Sequence, residues 1–239
     1  MVSQKPVLVT LTSPTAAGKS YLFNYIRDVA KMPCLISTTT RAPRAGEKDG
    51  VDYYFIDEKT SQQLEANDLF AELAIYRGVR YGVTKEEFHS KLSKGVAFLI
   101  VEPSGIDHYV KPALDAGAIH LKYYIHTDPQ IRLERFKQRV AADLRDAIIA
   151  DENARRMGKF AGAADKTVAS HMDRLVAMLT EELKWGTMYK WDRILFGEKE
   201  PAYNLDIIMS DVRKAQELDA EIRQHECNQS IVRSAALKV

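Results

Sequence analysis

Val7-Leu8-Val9-Thr10-Leu11-Thr12-Ser13-Pro14-Thr15-Ala16-Ala17-Gly18-Lys19-Ser20 is the stretch on which the reading of this chain turns. Its first six residues are a near-continuous apolar and β-branched run, the pattern of a strand covered on both faces. Beyond Gly18, residues Leu22, Tyr25, Ile26 and Val29 recur at helical spacing as far as Pro33. Strand, Gly-Lys-Ser loop and helix in immediate succession are the context that a phosphate-binding loop requires. In such a loop the backbone N–H groups and the helix N-terminus face an anion, Lys19 can neutralise terminal phosphates, and the Ser20 hydroxyl can reach a magnesium ion. Ser13, Thr15, Ala16, Ala17, Gly18, Lys19, Ser20 and Tyr21 are the candidate phosphate contacts, with a nucleoside triphosphate and Mg²⁺ as the natural ligands. Two positions depart from the usual pattern: Ser13 stands where it begins with Gly, and Ala16 adds a Cβ inside the loop. The competing reading is a plain turn from strand to helix.

Outward from this stretch, short β-rich runs alternate with helical patterns, which predicts an α/β fold with a parallel sheet flanked by helices. The candidate core strands are Val7 to Thr12, Ala97 to Val101, Leu121 to Ile125 and Asp206 to Met209. A helix is expected from Asp128-Pro129, where Asp can cap and Pro suits the first turn, turning Ile131, Leu133 and Phe136 inward. The last helix is expected from about Asp211 to His225, burying Val212, Ala215, Leu218 and Ile222. Thr38 to about Lys94 is rich in Tyr, Asp, Glu and turn residues, with strand-like pieces such as Tyr53 to Ile56, and reads as a small mixed subdomain. Val140 to Phe196 is Ala-rich and mostly helical, interrupted at Met157-Gly158 and Trp185-Gly186.

Composition excludes several classes. The 239 residues are 46% hydrophobic and 28% charged, which removes disorder, collagen and coiled coil. Lys+Arg 34 against Asp+Glu 33 leaves a net charge of +1, so no global field draws the molecule to nucleic acid or an anionic membrane, and an anionic ligand needs a local site. Two distant cysteines, Cys34 and Cys227, support neither a disulfide framework nor a zinc ribbon. The expectation is a cytoplasmic protein without a membrane span or targeting segment.

A second anion site is suggested by Ser37-Thr38-Thr39-Thr40-Arg41-Ala42-Pro43-Arg44, followed by Asp52-Tyr53-Tyr54-Phe55. Arginine forks suit phosphate oxygens and tyrosine adds a neutral donor. The bland alternative is a solvated basic turn.

With this segment, the phosphate loop, Leu69-Phe70-Ala71-Glu72 with Tyr81-Gly82, and the strand ending in Glu102, the first 110 or so residues resemble the guanylate kinase family. The family's members move the γ-phosphate of ATP onto GMP or dGMP. The resemblance implies a P-loop NTPase-type sheet with a nucleoside-monophosphate-binding subdomain and a lid. By position it implies that Arg41, Arg44, Tyr53 and Tyr81 hold the acceptor phosphate while Ser37 and Glu72 read the base. Guanine presents N1–H and N2–H as adjacent donors, which one carboxylate can accept together. If Glu72 is instead a surface ion-pair partner, that selectivity disappears. Val83 stands where the family has Ser or Thr after Tyr-Gly, removing a hydroxyl unless Thr84 supplies it. One acidic residue, Glu102, replaces a usual pair, with ordering Mg²⁺ water or touching the base as its candidate roles.

Phosphoryl transfer needs positive charge around the transferring group and exclusion of water. Arg135 and Arg139, one helical turn apart, match the family's paired lid arginines, and Arg174 resembles the third; a solvated helix face is the alternative for each. The chain is read as one guanylate-kinase-like domain, with 1–33, 95–134 and 202–228 as core, 34–94 binding the monophosphate and 135–201 forming an enlarged lid. Within that lid, Trp185, Tyr189 and Trp191 interleave with basic residues, as surfaces that stack on single-stranded DNA do. Packing of the lid or of a dimer contact is the favoured account of these rings, and oligomeric state stays open. Two further functional readings are a kinase acting on a modified deoxynucleotide or a base hydroxyl in DNA, and a non-catalytic binding module.

Overall fold

The computed structural model describes residues 4–43, 46–76 and 78–236. In chain order its elements are β1 (Val7–Thr12), α1 (Lys19–Asn24, continued by a π turn over Tyr25–Val29), β2 (Thr38–Thr39), β3 (Tyr54–Phe55), α2 (Glu58–Ala66), β4 (Phe70–Tyr76), β5 (Val79–Thr84) and α3 (Lys85–Leu92). There follow β6 (Val96–Ile100), α4 (Pro103–Ile106), α5 (Val110–Asp115), β7 (Ile119–His126), α6 (Pro129–Arg156), α7 (Ala163–Leu179), α8 (Trp185–Met188), β8 (Arg193–Phe196) and α9 (Pro201–Ala236).

Every residue of β1 is buried, as its unbroken apolar pattern demands. β1 pairs in parallel with β6 on one side and β7 on the other, and β8 adds in parallel beyond β7, giving the order β6-β1-β7-β8. Val7, Val9 and Leu11 point to a core layer completed by Leu22 and Ile26 after the loop and by Leu205, Ile208 and Val212 from α9. Leu8 points to the other layer, with Val83, Phe88, Leu99 and Tyr109. Each such side chain contributes about 1.5–3 kcal/mol through burial. The expected mixed segment carries a second sheet, β3-β2-β5-β4, in which β2 and β3 are parallel and the other pairs antiparallel.

Asp206 to Met209 is helix, correcting the expected strand. Leu205, Ile208 and Val212 are all buried at helical spacing, and α9 opens ten residues earlier than expected, at Pro201, where a proline is tolerated. The fourth strand is β8, an edge strand in which Leu195 is buried while Ile194 and Phe196 are exposed. Arg193 of this strand pairs with Asp211 of α9 through two hydrogen bonds of 2.5 and 2.7 Å. Further along α9, Leu218 and Ile222 are exposed against expectation, because the helix runs past the sheet it covers. Asp128 does cap α6, accepting from the N–H groups of Gln130 and Ile131. The inward face of α6 is rotated from the expected one: Arg132 and Phe136 are buried, while Ile131 is exposed.

α6 and α7 form an antiparallel pair. The Asp151 carboxylate accepts from the N–H groups of Gly162, Ala163 and Ala164 at 2.7–3.0 Å, holding the α7 N-terminus, and the His171 ring meets Phe136 edge-on. No helix among the described residues is long and apolar enough to cross a membrane.

His120 on β7 shares a 2.9 Å hydrogen bond with Thr10, and burial, assisted by Lys122, lowers its pKa to about 4. The unfolded chain protonates this ring near pH 6.5, so acidification from there toward pH 4 favours the unfolded state, by a few kcal/mol at most. Urea titrations should show stability falling across this window, and a smaller fall in His120→Gln. A Cβ on Gly197 would penetrate Ala17 O and Thr127 Oγ1, so Gly197→Ala should lose about 1–3 kcal/mol of stability, read as a lower melting temperature.

Candidate functional site

β1 ends inside the molecule, and its loop is shaped by neighbours on all sides. Ala16 and Gly18 both have left-handed backbone, at φ 62° and 98°. Such a conformation costs an alanine roughly 1–2 kcal/mol and a glycine little. Gly18 precedes α1 without any side-chain cap, so the first N–H groups of that helix lack intrahelical acceptors. Lys19 Nζ lies 3.5 Å from Glu102 Oε1 at the end of β6, and the Ser20 and Tyr21 side chains are exposed beside it. Ser13 is buried, its hydroxyl donating to Pro14 O at 2.9 Å, and the Ala17 N–H closes a turn on Pro14 O.

Three successive carbonyls of this loop are held from outside. Arg132 Nε donates to Thr15 O at 3.0 Å, Arg135 Nη1 approaches Ala16 O at 3.5 Å, and Thr127 Oγ1 donates to Ala17 O at 2.8 Å. The carboxylate of Glu182, in the turn after α7, accepts from Thr15 N–H at 2.8 Å and from Thr15 Oγ1 at 2.6 Å. It also pairs with Arg132 Nη2 at 2.7 Å, both side chains being 5% exposed. Arg135 further donates to Gly197 O at 3.2 Å. A cleft of about 340 Å³ opens between Gly18 and Tyr21, Arg135, and the turn 197–200.

Of the expected lid arginines, Arg135 is brought onto the loop. The Arg139 guanidinium lies over the Phe136 ring at 5.7 Å, and Arg174 is half-buried on α7. Arg132, Glu182, Thr127 and Gly197 escaped the sequence reading. The cap at Asp128 sets the phase of α6, and with Phe136 inward, Arg132 four residues earlier has to be inward as well.

On the second sheet, Arg41, Tyr53 and Tyr81 converge: the Arg41 guanidinium lies 5.3 Å from the Tyr53 ring centre, and the two tyrosine rings are 6.2 Å apart. Arg41 donates to both oxygens of Glu47 at 2.9 Å. Burial would lower the Arg41 pKa, but Glu47 and the two tyrosines raise it overall. Arg44 lies outside the described residues. Ser37 is half-buried, and its carbonyl accepts from Tyr54 N–H at 2.9 Å.

Glu72 is no surface partner. Its side chain is 8% exposed; Tyr109 OH donates to it at 2.9 Å and His108 Nδ1 lies at 3.3 Å. Burial raises its pKa above the usual carboxylate range, against the opposing effect of Tyr109 and His108. Val83 is fully buried in the core layer, and the Thr84 hydroxyl caps α3 by accepting from Glu87 N–H at 3.2 Å. The Thr84 oxygen is thus already used as an acceptor at the start of α3. Gly82 lets β5 pass tightly against Glu72 O, where β4 shifts register between Phe70 and Glu72.

Among the described residues no group of three or more His, Cys, Asp or Glu could hold a metal. The oxygen donors beside Lys19, the Ser20 hydroxyl and the 65%-exposed Glu102 carboxylate, fit a hard cation carried mainly by phosphates and water. Trp191 and Tyr189 pack internally: Trp191 lies on Tyr124 at 5.1 Å and on Tyr189 at 5.7 Å, with its Nε1 donating to Gly186 O. That arrangement gives no support to a stacking surface for DNA.

Comparison with known proteins bears on the family and the fold. A guanylate kinase from Streptomyces kasugaensis is 36% identical over 119 residues, 49% of this chain and 58% of that protein. One from Schizosaccharomyces pombe is 43% identical over 82 residues, 34% of this chain and 40% of that protein. The chain spans about half the length of the curated relatives it matches. In fold it is similar to the crystal structure of guanylate kinase from Anaplasma phagocytophilum, with a TM-score of 0.54 at 20% identity over 90% of this chain and 89% of that one. The sequence model of the guanylate kinase family matches residues 4–165, well over half of the chain, and the chain belongs to that family.

Proposed function

We propose that this chain transfers the γ-phosphoryl group of ATP to GMP or dGMP, forming ADP and the nucleoside diphosphate. The observation that carries the reading is the uncapped start of α1 at the end of β1, with Lys19 beside it and Arg135 reaching over the loop. ATP phosphates lie on the N–H groups of Ala16 and of Gly18 to Ser20, with Lys19 neutralising the terminal charge. The cleft along Tyr21, Arg135 and the turn 197–200 receives the rest of the donor.

Arg41, Arg44, Tyr53 and Tyr81 hold the acceptor phosphate, and Ser37 and Glu72 read its base. The acceptor oxygen attacks the γ-phosphorus while the bond to the β-phosphate oxygen breaks and ADP leaves. That oxygen is already anionic, so no carboxylate base is needed and positioning carries the rate. Arg135, Arg139 and Arg174 surround the developing charge when 135–201 closes as a lid over the core, with 34–94 closing from the other side. Mg²⁺, held through Ser20 and by water on Glu102, would add charge neutralisation between the phosphates.

Glu72 carries the base preference. A buried carboxylate that gains two adjacent donors from guanine finds no such pair on adenine, where it keeps only Tyr109 and His108. Val83 removes a hydroxyl from the same corner, so guanine recognition rests more heavily on this carboxylate.

Release of ADP, measured with each nucleoside monophosphate in turn, should be confined to GMP and dGMP; turnover with other acceptors alone would overturn the assignment. Lys19→Ala should lower kcat by about 100-fold or more with an unchanged melting temperature. Glu72→Gln should reduce the preference for GMP over AMP by about 100-fold or more while leaving ATP affinity within a factor of two or so, read from kcat/KM for both acceptors.

A further inference from the structure

The phosphate loop is gripped by a buried ion pair to which neither the loop pattern nor the reaction assigns a role. Arg132, in the first turn of α6, and Glu182, fifty residues later, meet at 2.7 Å with both side chains almost wholly enclosed. Each also bonds Thr15: Glu182 takes its backbone N–H and its hydroxyl, and Arg132 holds its carbonyl. We infer that Arg132 and Glu182 are positioning residues for phosphoryl transfer, a clamp that orients the phosphate loop's N–H groups and ties them to the arginine-bearing helix α6.

The argument follows from peptide geometry. In a trans peptide the carbonyl of one residue and the N–H of the next point in opposite directions. The carbonyls of Thr15, Ala16 and Ala17 are held by Arg132, Arg135 and Thr127 respectively. Fixing the first and third of these carbonyls turns the N–H groups of Ala16 and Gly18 to the opposite side of the loop. The Ala17 N–H stays in its turn on Pro14 O. Left-handed backbone at Ala16 and Gly18 is part of the same concave arrangement, which suits an anion.

Ala16 makes such a restraint necessary. A glycine at this position would rest in the left-handed region at little cost, whereas an alanine relaxes out of it unless its neighbours are held. Arg132 and Arg135 lie three residues apart on one face of α6, so the clamp also fixes where Arg135 meets the loop. A buried ion pair is weak support for stability on its own, because desolvation offsets most of the attraction. Its bonds to both backbone groups of one loop residue are what distinguish this pair from a merely structural one.

The inference rests on the proposed use of this loop for ATP, and its test separates the two. The double variant Arg132→Met/Glu182→Leu removes the clamp without leaving a buried charge, and such replacements are commonly neutral for folding. It should keep its melting temperature within a few degrees yet lose about 10- to 100-fold in kcat, with the KM for GMP little changed. Its affinity for a non-hydrolysable ATP analogue, measured by calorimetry, should weaken by about tenfold. Glu182→Gln, whose amide oxygen still accepts from Thr15 N–H, should retain several-fold more activity than Glu182→Leu. A folded double variant with wild-type kcat and analogue affinity would overturn the clamp. Should the double variant not fold, equal activity of Glu182→Gln, Glu182→Leu and wild type would overturn it instead. A wild-type chain that binds the analogue but phosphorylates no monophosphate would sink the proposed acceptor chemistry, and the change in analogue affinity would still decide the clamp.

Discussion

The Ala17 carbonyl accepts from the Thr127 hydroxyl while the Gly197 backbone lies against it, and the rest of the site is arranged around this junction. Three chain segments meet there: the loop leaving β1, the residue following β7 and the residue following β8. Parallel strands bring their carboxyl ends to the same edge of the sheet, so loops that are remote in sequence are forced into one small volume. Only a residue without a side chain fits at 197. The Gly197 N–H donates to His126 O and its carbonyl accepts from Arg135, so this one glycine connects the sheet edge to the helix that reaches over the loop.

Local features of the site were legible in the sequence, and long-range ones were not. The phosphate loop could be read because strand, glycine, lysine, hydroxyl and helix stand side by side in the chain. The Asp128 cap was equally local. Asp206 to Met209 was misread because a short run containing two isoleucines suits a buried strand and one face of a helix alike; Leu205 and Val212 on either side carry the helical period. β8 was passed over because an edge strand buries few of its residues. Arg132 and Glu182 could not be paired by inspection, since their partnership depends on α6 and α7 folding back on one another. At Val83 the departure from the family pattern was visible, but its meaning depended on strand register. Residue 83 faces the core, and the Thr84 oxygen beside it accepts the capping bond of α3.

Strain and compensation are spatially close in this molecule. Ala16 occupies a backbone region costly to it, and Arg132 and Glu182 are charges withdrawn from water. Either feature alone would favour local rearrangement. Together they restrict each other, because relaxing the loop would leave two buried charges without their backbone partners, and separating the charges would release the loop. Cooperation of this kind holds a short loop rigid without a large apolar core beneath it.

The pairing of Arg41 with Glu47 has a consequence for what the acceptor site can admit. On the proposed reading, an incoming phosphate meets a guanidinium that already gives one N–H from each terminal nitrogen to a carboxylate. Of its five N–H donors, those turned to Glu47 are open only to an anion that displaces it, and the free energy of that exchange is the difference between two charge-assisted contacts. A phosphate dianion can win that exchange. An uncharged nucleoside has nothing to offer in place of Glu47, so on this reading the resting ion pair would select ligands by their charge before the base is read.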